Sequence, residues 1–481
     1  MKAIFLVTTI VLAGVAVFAV ATLPKYSSDV PLVYWTSDPN PARGPQIAAF
    51  MDWMADNDYG DVKLELDSNN GGVMKVIIQS ASGVASDIVD CYSGNQVRQY
   101  VASGVLMDVT DLAKKYGFGL EKTYAAAEQE ISVDGRQYAF PCNVSAFPLT
   151  INRALLEREG LPLPKFDWTW DEFLRWCLAV RKVDENGRVT RFAVWPFRAD
   201  KLWYANGGTI FNETMTRCTA DSPQVREATQ FYYDLMFKHH VMPTPVDQSS
   251  VPSREGYGGA MLQWLGTELT VSVAIGRYGL IQLRRFENFS PDVALFPHKV
   301  MPMQPIGARS AGINACGDNP ELVARFLQFL AGKEYNRIIV ADADALPPNP
   351  AVARTQEFLA PKKYPDEHHA HAKYLRAAEE FGVGREYSRF VNPEVVERTI
   401  SRLLEGTDSR QLTVDQALRG MAAEINRELE RTVERDRRLT AEYRDAVELQ
   451  SRIDDLKAAG EEPPLEWIAN PVIRRLKEAG K

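Results

Sequence analysis

Between residues 30 and 90, short apolar runs alternate with segments in which apolar residues recur every three or four positions. The runs at 32–35, 62–66 and 88–89 predict β-strands, and the periodic segments at 46–54 and 73–81 predict helices. Strands that alternate with helices in this way predict a parallel, doubly wound sheet with helices on both faces. In such a sheet, ligands bind beyond the carboxyl ends of the strands.

A second stretch of alternating elements follows a hairpin. Residues 131–133 and 137–140 flank Asp134 and Gly135, a pair typical of tight turns, and residues 141–152 are extended. Beyond them the pattern predicts helices at 154–159, 170–180, 225–237 and 320–330, and strands at 190–194, 259–265 and 293–296. The repetition of the first pattern indicates a second α/β lobe.

The chain is predicted to be helical from residue 391 onward. Thr413, with Gln416 three residues later, is typical of a capped helix start. Because no Gly or Pro lies between Met421 and Ala459, one long helix is expected there, with a charged, solvated face or a partner-binding coiled coil. The Glu- and Arg-rich tail has no broad apolar face, so we expect it to be dispensable for ligand binding.

Length and charge narrow the functional classes. A chain of 481 residues suggests two or three folding units. The formal net charge is −8 and no tract of basic residues with interleaved aromatics occurs, which argues against a nucleic-acid partner.

The first residues predict export. Lys2 is followed by an apolar run over residues 3–23 that contains Ala19-Val20-Ala21, a pattern typical of a cleaved signal peptide. The run is also long enough to span a bilayer, so residues 1–24 are expected to be either a signal peptide or an N-terminal membrane anchor. In both cases the body of the protein is expected in the periplasm or another extracytoplasmic space.

Catalytic and metal-binding motifs are not apparent. The five cysteines form no CxxC or ligand cluster, so buried free thiols are expected, although Cys91 and Cys142 could meet at strand ends. His368, His369 and His371 lie in a polar stretch and are interpreted as a surface patch. The sequence has no GxSxG, P-loop or dinucleotide fingerprint, and we expect no enzyme activity, no cofactor and no metal.

Several segments in the same order resemble extracellular solute-binding protein family 1, the sugar-type receptors of ABC importers that include maltose-binding proteins. Residues 80–89 (SASGVASDIV) resemble the family's "AsGdaPDvv" turn, with Ser86 in the usual position of Pro. Residues 135–145 (GRQYAFPCNVS), with 152–161 (NRALLEREGL), are similar to "GkvYalPynvs…yNkdlfeeaGl". Trp170-Asp171-Glu172-Phe173 matches "WdEf", and three later segments, at 206–208, 221–223 and 326–334, fit as well. The resemblance covers about residues 32–429.

The resemblance implies a two-lobed, type II periplasmic-binding-protein clamp, in which each lobe is a mostly parallel sheet flanked by helices. One lobe is expected to combine residues 30–143 with 297–346 and the other 146–295 with 350–430, with a helical extension at 435–481. Crossings between the lobes are expected near 142–149, 296–312 and 346–350. The family further implies a monomeric receptor that binds carbohydrate and delivers it to an ABC permease.

Candidate ligand residues have the chemistry that a sugar needs and lie at predicted strand tips or crossings. Carboxylates, amides and hydroxyls suit the hydroxyl edges of a sugar, and flat aromatic rings suit its faces. The candidates are Trp35, Ser37, Ser68, Asn69, Asp90, Ser93, Asn95, Asn143, Ser145, Trp195, Trp203, Asn206, Gly207, Trp264, Arg309 and Ser310. Of these, Trp203 and Trp264 are expected to stack on sugar rings. Each tryptophan can instead belong to the core, and Arg309 can instead pair with a buried carboxylate.

Three other functions are open at this point. The same fold can bind a charged or phosphorylated solute, which would require two or more cations at the cleft. A membrane-tethered interaction or sensory protein would use residues 435–481 to hold a partner. A polysaccharide-cleaving enzyme would need paired carboxylates from distant positions, which a sequence pattern does not reveal.

Overall fold

The computed structural model describes residues 30–68, 72–249, 259–342 and 344–481. The predicted export segment, 1–24, and the candidate ligand residue Asn69 lie outside the described residues. Within the described ranges, none of the helices combines the length and the hydropathy needed to cross a membrane.

Thirteen strands are described, most of them short. They are β1 Leu32–Ser37, β2 Lys63–Ser68, β3 Ile88–Cys91, β4 Ser132–Val133, β5 Arg136–Gln137, β6 Ala139–Ala146, β7 Leu149–Asn152, β8 Lys182–Val183, β9 Val189–Val194, β10 Thr270–Ala274, β11 Pro291–Ala294, β12 Gln304–Ile313 and β13 Gly382–Val383.

The helices of the described residues lie between these strands and then dominate the C-terminal part. They are α1 Arg43–Asp56, α2 Val73–Ala81, α3 Gly94–Ala102, α4 Thr110–Tyr116, α5 Glu128–Ile131, α6 Arg153–Arg158, α7 Trp170–Val180, α8 Pro223–Phe237, α9 Pro245–Ser249, α10 Gly259–Gly266, α11 Leu280–Leu283, α12 Pro320–Ala331, α13 Lys333–Asp342, α14 Pro350–Ala353, α15 Gln356–Leu359, α16 His368–Glu379, α17 Pro393–Asp408, α18 Val414–Arg435, α19 Arg437–Ala458 and α20 Pro471–Glu478.

Two larger sheets form the centres of two lobes. The first has the order β13-β12-β3-β1-β2, with β6 also paired to β12, and β1 runs parallel to both β2 and β3. The second has the order β11-β7-β10-β9-β8. It is mixed, because β10 and β9 are parallel whereas β7 is antiparallel to both β10 and β11. The predicted two-lobed α/β clamp is confirmed.

The two lobes are joined where β6 and β12 run side by side. These strands pair in antiparallel register from Gly312 opposite Ala139 to Ile306 opposite Ala146. After β6 the chain enters β7 of the second sheet, and a third segment joins at the bridge between Val144 and Leu346. The crossings therefore lie in one place, and all residues of β6 and β12 are buried.

Local turn and capping chemistry appears where the sequence predicts it. Asp134 and Gly135 both have positive φ in the hairpin between β4 and β5. Thr413 caps α18 with the reciprocal Gln416 bond of a capping box, as predicted. Thr169, which was not predicted as a cap, caps α7 in the same way with Glu172.

Three expectations are wrong. Residues 259–265 belong to helix α10, because Leu262 and Leu265, three positions apart, both pack into the core. The predicted long helix is broken at Asp436, which has an extended backbone and accepts a hydrogen bond from Arg438 N to start α19. His371 is fully buried against Glu367 and Arg277, so the histidines do not form a surface patch.

Candidate ligand-binding cleft

The carboxyl ends of β1 and β3 are joined by a buried polar network centred on Asp90. Trp35 Nε1 donates to Asp90 Oδ1 over 2.7 Å, and the Ser37 hydroxyl donates to Asp90 Oδ2 over 2.6 Å. Arg309 on β12 donates to the same Oδ2 over 2.8 Å. Trp35 itself is fully buried and packs on Phe326. These candidate residues are thus brought together, but their polar groups are engaged with one another and hold the strand tips in place.

A second ion pair borders this network. Arg43 donates to Asp38 Oδ1 over 2.7 Å and to the Ser37 hydroxyl over 3.0 Å. Burial raises the pKa of the Asp38 carboxyl, but the Arg43 guanidinium more than offsets this, so the pKa lies below its usual value. Tyr92, which is 45% exposed, accepts a hydrogen bond from Asp38 N.

Four of the second-lobe candidates are structural. Trp203 is fully buried and donates to Thr229 over 2.9 Å. Asn206 is also buried and donates to Gln224 O over 2.7 Å, and Gly207 has the left-handed backbone that ends this turn. Trp264 lies in the core, 3% exposed, with its ring 5.0 Å from that of Trp195. The tryptophans expected to stack on sugars therefore belong to the core of the second lobe.

The remaining candidates lie closer to the junction between the lobes or at its rim. Asn143 donates to Asp344 over 3.1 Å, and the buried Ser310 hydroxyl has no hydrogen-bond partner among the described residues. Ser93 accepts the capping bond of α3, and Ser68 is exposed at the end of β2.

Aromatic rings that the sequence analysis did not select lie at the crossing strands. The rings of Phe147 and Tyr278 are 6.3 Å apart in an edge-to-face arrangement. A methyl group placed on Gly276 would lie 3.2 Å from the Ser145 hydroxyl, so the chain after β10 passes directly over β6. Tyr278 follows this strand at its carboxyl end. Had the strand been placed at 270–274 rather than at 259–265, the strand-tip rule would have identified Tyr278.

A small cavity of about 60 Å³ lies between the lobes, and one of its lining residues, Lys201, faces the Phe147 ring. Its lining joins Asn95 of the first lobe to Arg198, Lys201 and Tyr204 of the second, and to the segment that follows β13, here residues 385–388. Asn95 Oδ1 is buried and has no hydrogen-bond partner among the described residues. A polar acceptor in this position has the chemistry to receive a ligand hydroxyl.

Of the cationic side chains around the cavity, some form ion pairs and others do not. Arg198 pairs with both Asp200 and Glu397. The Lys201 ammonium forms no ion pair or hydrogen bond with the described residues, and its Nζ lies 5.8 Å from the centre of the Phe147 ring. Burial and then the neighbouring Arg385 lower the pKa of Lys201 to about 8.

Residues 385–388 are held from both lobes and from the C-terminal extension. Tyr387 donates to Glu130 over 2.8 Å, and the Arg98 guanidinium lies 3.9 Å from the centre of its ring. Glu386 is buried and accepts hydrogen bonds from Ile210 N, Phe211 N and Asn470 Nδ2. Burial raises the pKa of Glu386 to about 7.

One thiol contacts the buried network, since Cys142 Sγ lies 4.0 Å from Asp90 Oδ1. All five cysteines are free, and burial raises the pKa of Cys142 to about 12. Within the described ranges, no three His, Cys, Asp or Glu side chains are grouped so that they could hold a metal ion.

Solved structures with the same fold superpose on this chain over nearly all of their own length. An ABC substrate-binding protein from Listeria monocytogenes in complex with cycloalternan superposes with a TM-score of 0.67 at 21% identity, covering 83% of this chain and 98% of that one. UgpB from Mycobacterium tuberculosis in complex with glycerophosphocholine gives a TM-score of 0.67 at 18% identity, covering 84% and 99%. At these identities the likeness shows the fold.

Sequence comparison defines the family. A curated relative, an arabinooligosaccharide-binding protein from Halalkalibacterium halodurans, is 26% identical over 211 residues, which is 41% of this chain and 44% of the relative. The match thus spans less than half of that relative's length. Residues 40–337 match the family described as bacterial extracellular solute-binding protein. With more than half of its length matched, this chain belongs to the bacterial extracellular solute-binding protein family.

Proposed function

We propose that the chain is the exported receptor of an ABC importer, and that it binds a carbohydrate between its two lobes and delivers it to a membrane permease without catalysis. Family membership supports the receptor role. The main support for a carbohydrate ligand is the Phe147–Tyr278 pair, which lies at the junction of the lobes beside the polar residues of the crossing strands.

The junction has both kinds of surface that a sugar requires. The half-buried rings of Phe147 and Tyr278 offer apolar faces to sugar C–H groups. Ser145, Asn95 and Tyr387 offer hydroxyl or amide groups to the hydroxyl edges. Because these residues come from both lobes and from the crossings, a ligand that touches all of them favours the closed arrangement by its differential affinity.

The proposal predicts ligand-induced stabilisation by sugars. Residues 25–481, purified after export, are screened by thermal unfolding against a panel of mono- and oligosaccharides. A ligand present at 100 times its Kd stabilises the folded state by about 2.7 kcal/mol, which raises the melting temperature. Solution scattering should show a smaller radius of gyration with the same ligand. A panel in which no saccharide shifts the melting temperature would contradict a carbohydrate receptor.

Tyr278→Ala tests the location of the site. Loss of an aromatic anchor should weaken binding by about tenfold or more, with a small change in the melting temperature of the empty protein, because the ring is only half-buried. Tyr34→Ala, at an exposed tyrosine on β1, is the matched control and should leave the affinity unchanged. Equal affinities for all three proteins would place the sugar elsewhere.

A further inference from the structure

Arg385 and Lys201 line the same cavity. Within the described residues the Lys201 ammonium has no ion pair, and the ion pair of Arg385 is a long one. The nearest carboxylate to Arg385 is that of Glu130, with 4.0 Å between Nε and Oε1. Glu130 already accepts hydrogen bonds from Gly94 N over 2.9 Å and from the Tyr387 hydroxyl. Arg385 Nε is buried and has no acceptor within the described part of the chain.

The backbone is shaped to place these two cations together. A methyl group on Gly307 would lie 3.1 Å from the Phe147 ring and 3.6 Å from Arg385 Nη2. The glycine therefore lets the guanidinium approach the ring that Lys201 faces from 5.8 Å. Burial and then the positive charge of Arg385 lower the pKa of Lys201, as expected for two cations that lie close together.

Other cations in the region are occupied. Arg198 forms ion pairs with Asp200 and Glu397, and Arg309 forms an ion pair with Asp90. A buried N–H group of a cation that has no hydrogen-bond acceptor destabilises the folded protein. When such a group lines a ligand cavity, the missing acceptor is expected to come from the ligand. A carboxylate or phosphate accepts from guanidinium and ammonium groups more strongly than a neutral hydroxyl does.

We propose that the carbohydrate bound by this receptor is acidic, and that its oxyanion is received by Lys201 and Arg385 while its ring lies against Phe147 and Tyr278. This inference rests on the proposed function and deepens it by naming the class of sugar. The oxyanion is a uronate carboxylate or a sugar phosphate, which share this recognition chemistry.

The test compares matched ligands by isothermal titration. Glucose, galactose and their oligosaccharides are each paired with the corresponding uronate, and glucose is also paired with glucose 6-phosphate; inorganic phosphate and acetate are titrated alone. We expect at least one acidic member to bind about tenfold or more tightly than its neutral partner, and to lose affinity as salt rises. The uronate and phosphate arms identify the source of the oxyanion.

Substitutions then locate the effect. Lys201→Met and Arg385→Gln should each weaken binding of the acidic sugar by about tenfold or more and leave the neutral analogue within about threefold. Lys114→Met, at an exposed lysine on α4, is the matched control. The melting temperature of each ligand-free variant verifies that it folds. If Arg385→Gln does not fold, Lys201→Met, at a half-buried position, is enough to test the inference.

The outcomes separate the two proposals. Tight binding of a neutral sugar, with no preference for its acid and no effect of Lys201→Met, would overturn the acidic class and leave the carbohydrate receptor intact. Binding of acetate or phosphate but of no saccharide would support the cationic site and overturn the carbohydrate receptor. Equal loss of acidic and neutral sugars in Lys201→Met would assign the lysine a structural role and overturn the inference.

Discussion

The sequence singles out Trp35, Asp90 and Arg309 for the chemistry of sugar binding, and the fold joins them in one buried network. Asp90 meets partners 55 and 219 positions away in the chain. Residue type indicates what a side chain can bind, but such distant partners depend on which strands pair with one another, and residue type does not show this. The same limit explains why Lys201 and Arg385 were not identified, since the shared cavity and the unpaired ammonium of Lys201 are properties of the folded state.

Trp264 provides a sharp test of this placement. Its position in the sequence predicts that it stacks on sugar, whereas in the structure it packs against Phe192 and Trp195 in the core. Trp264→Ala should therefore reduce the free energy of unfolding of the empty protein by about 3–5 kcal/mol through the cavity that it leaves. Urea titration measures this loss. An unchanged unfolding midpoint with lost sugar affinity would instead place the ring at the ligand.

Helix ends and turns that depend on a few neighbouring residues could be predicted from the sequence, whereas elements that depend on tertiary packing could not. Turn residues such as Asp134 and Gly135 and the cap at Thr413 act within a few positions, and they appear as expected. Residues 259–265 carry a short apolar run that fits either a strand or a buried helix, and only packing decides between the two. The helix break at Asp436 could not be predicted from a Gly or Pro, since neither residue is present there. It depends on the Asp436 side chain, which caps α19.

The capping box of α7 has a measurable contribution. The Thr169 hydroxyl accepts a hydrogen bond from Glu172 N, and Glu172 Oε2 accepts one from Thr169 N. Thr169→Ala should lower the free energy of unfolding by about 1 kcal/mol, because one of the orphan amides at the helix start loses its acceptor. Thr169→Ser is the control that retains the oxygen and should recover most of the loss in chemical denaturation. A neutral Thr169→Ala would show that the end of this helix is held by Trp168 packing instead.

The stability of the assembled protein should depend on pH through Glu386. Burial raises the pKa of this carboxyl to about 7, above its ordinary value, so the folded state favours the protonated form. The resulting contribution to stability is fully present below the ordinary carboxyl pKa and is lost as pH rises towards about 7. Glu386→Gln mimics the protonated form, and its melting temperature should fall less than that of the parent between pH 5 and pH 8. Identical pH profiles would show that Glu386 is not the titrating group.

The C-terminal extension is built into the second lobe more firmly than its charged sequence suggests. Ile453, Ile468 and Val472 are fully buried. Gln450 donates to Glu213 and accepts from Thr214 N, and Tyr443 donates to Thr216 O, so the extension covers the hairpin that follows Tyr204 and Ile210. The solved relatives described above cover 83–84% of this chain, so part of it lies beyond the shared fold.

Removal of this extension should therefore affect ligand binding, contrary to the expectation from its composition. The buried Asn470 amide donates to Phe211 O and Glu386 Oε1, and Glu386 directly follows the cationic Arg385 in the cavity wall. Truncation after Ala459 removes this brace and should lower both the melting temperature and the affinity for the ligand found in the panel, by about tenfold. Asn470→Ala should reproduce part of the affinity loss with less unfolding, while truncation after Ala479 should have no effect, because the last two residues are exposed. Affinity within about twofold of the parent after the longer truncation would show that residues 385–388 hold their position without the extension.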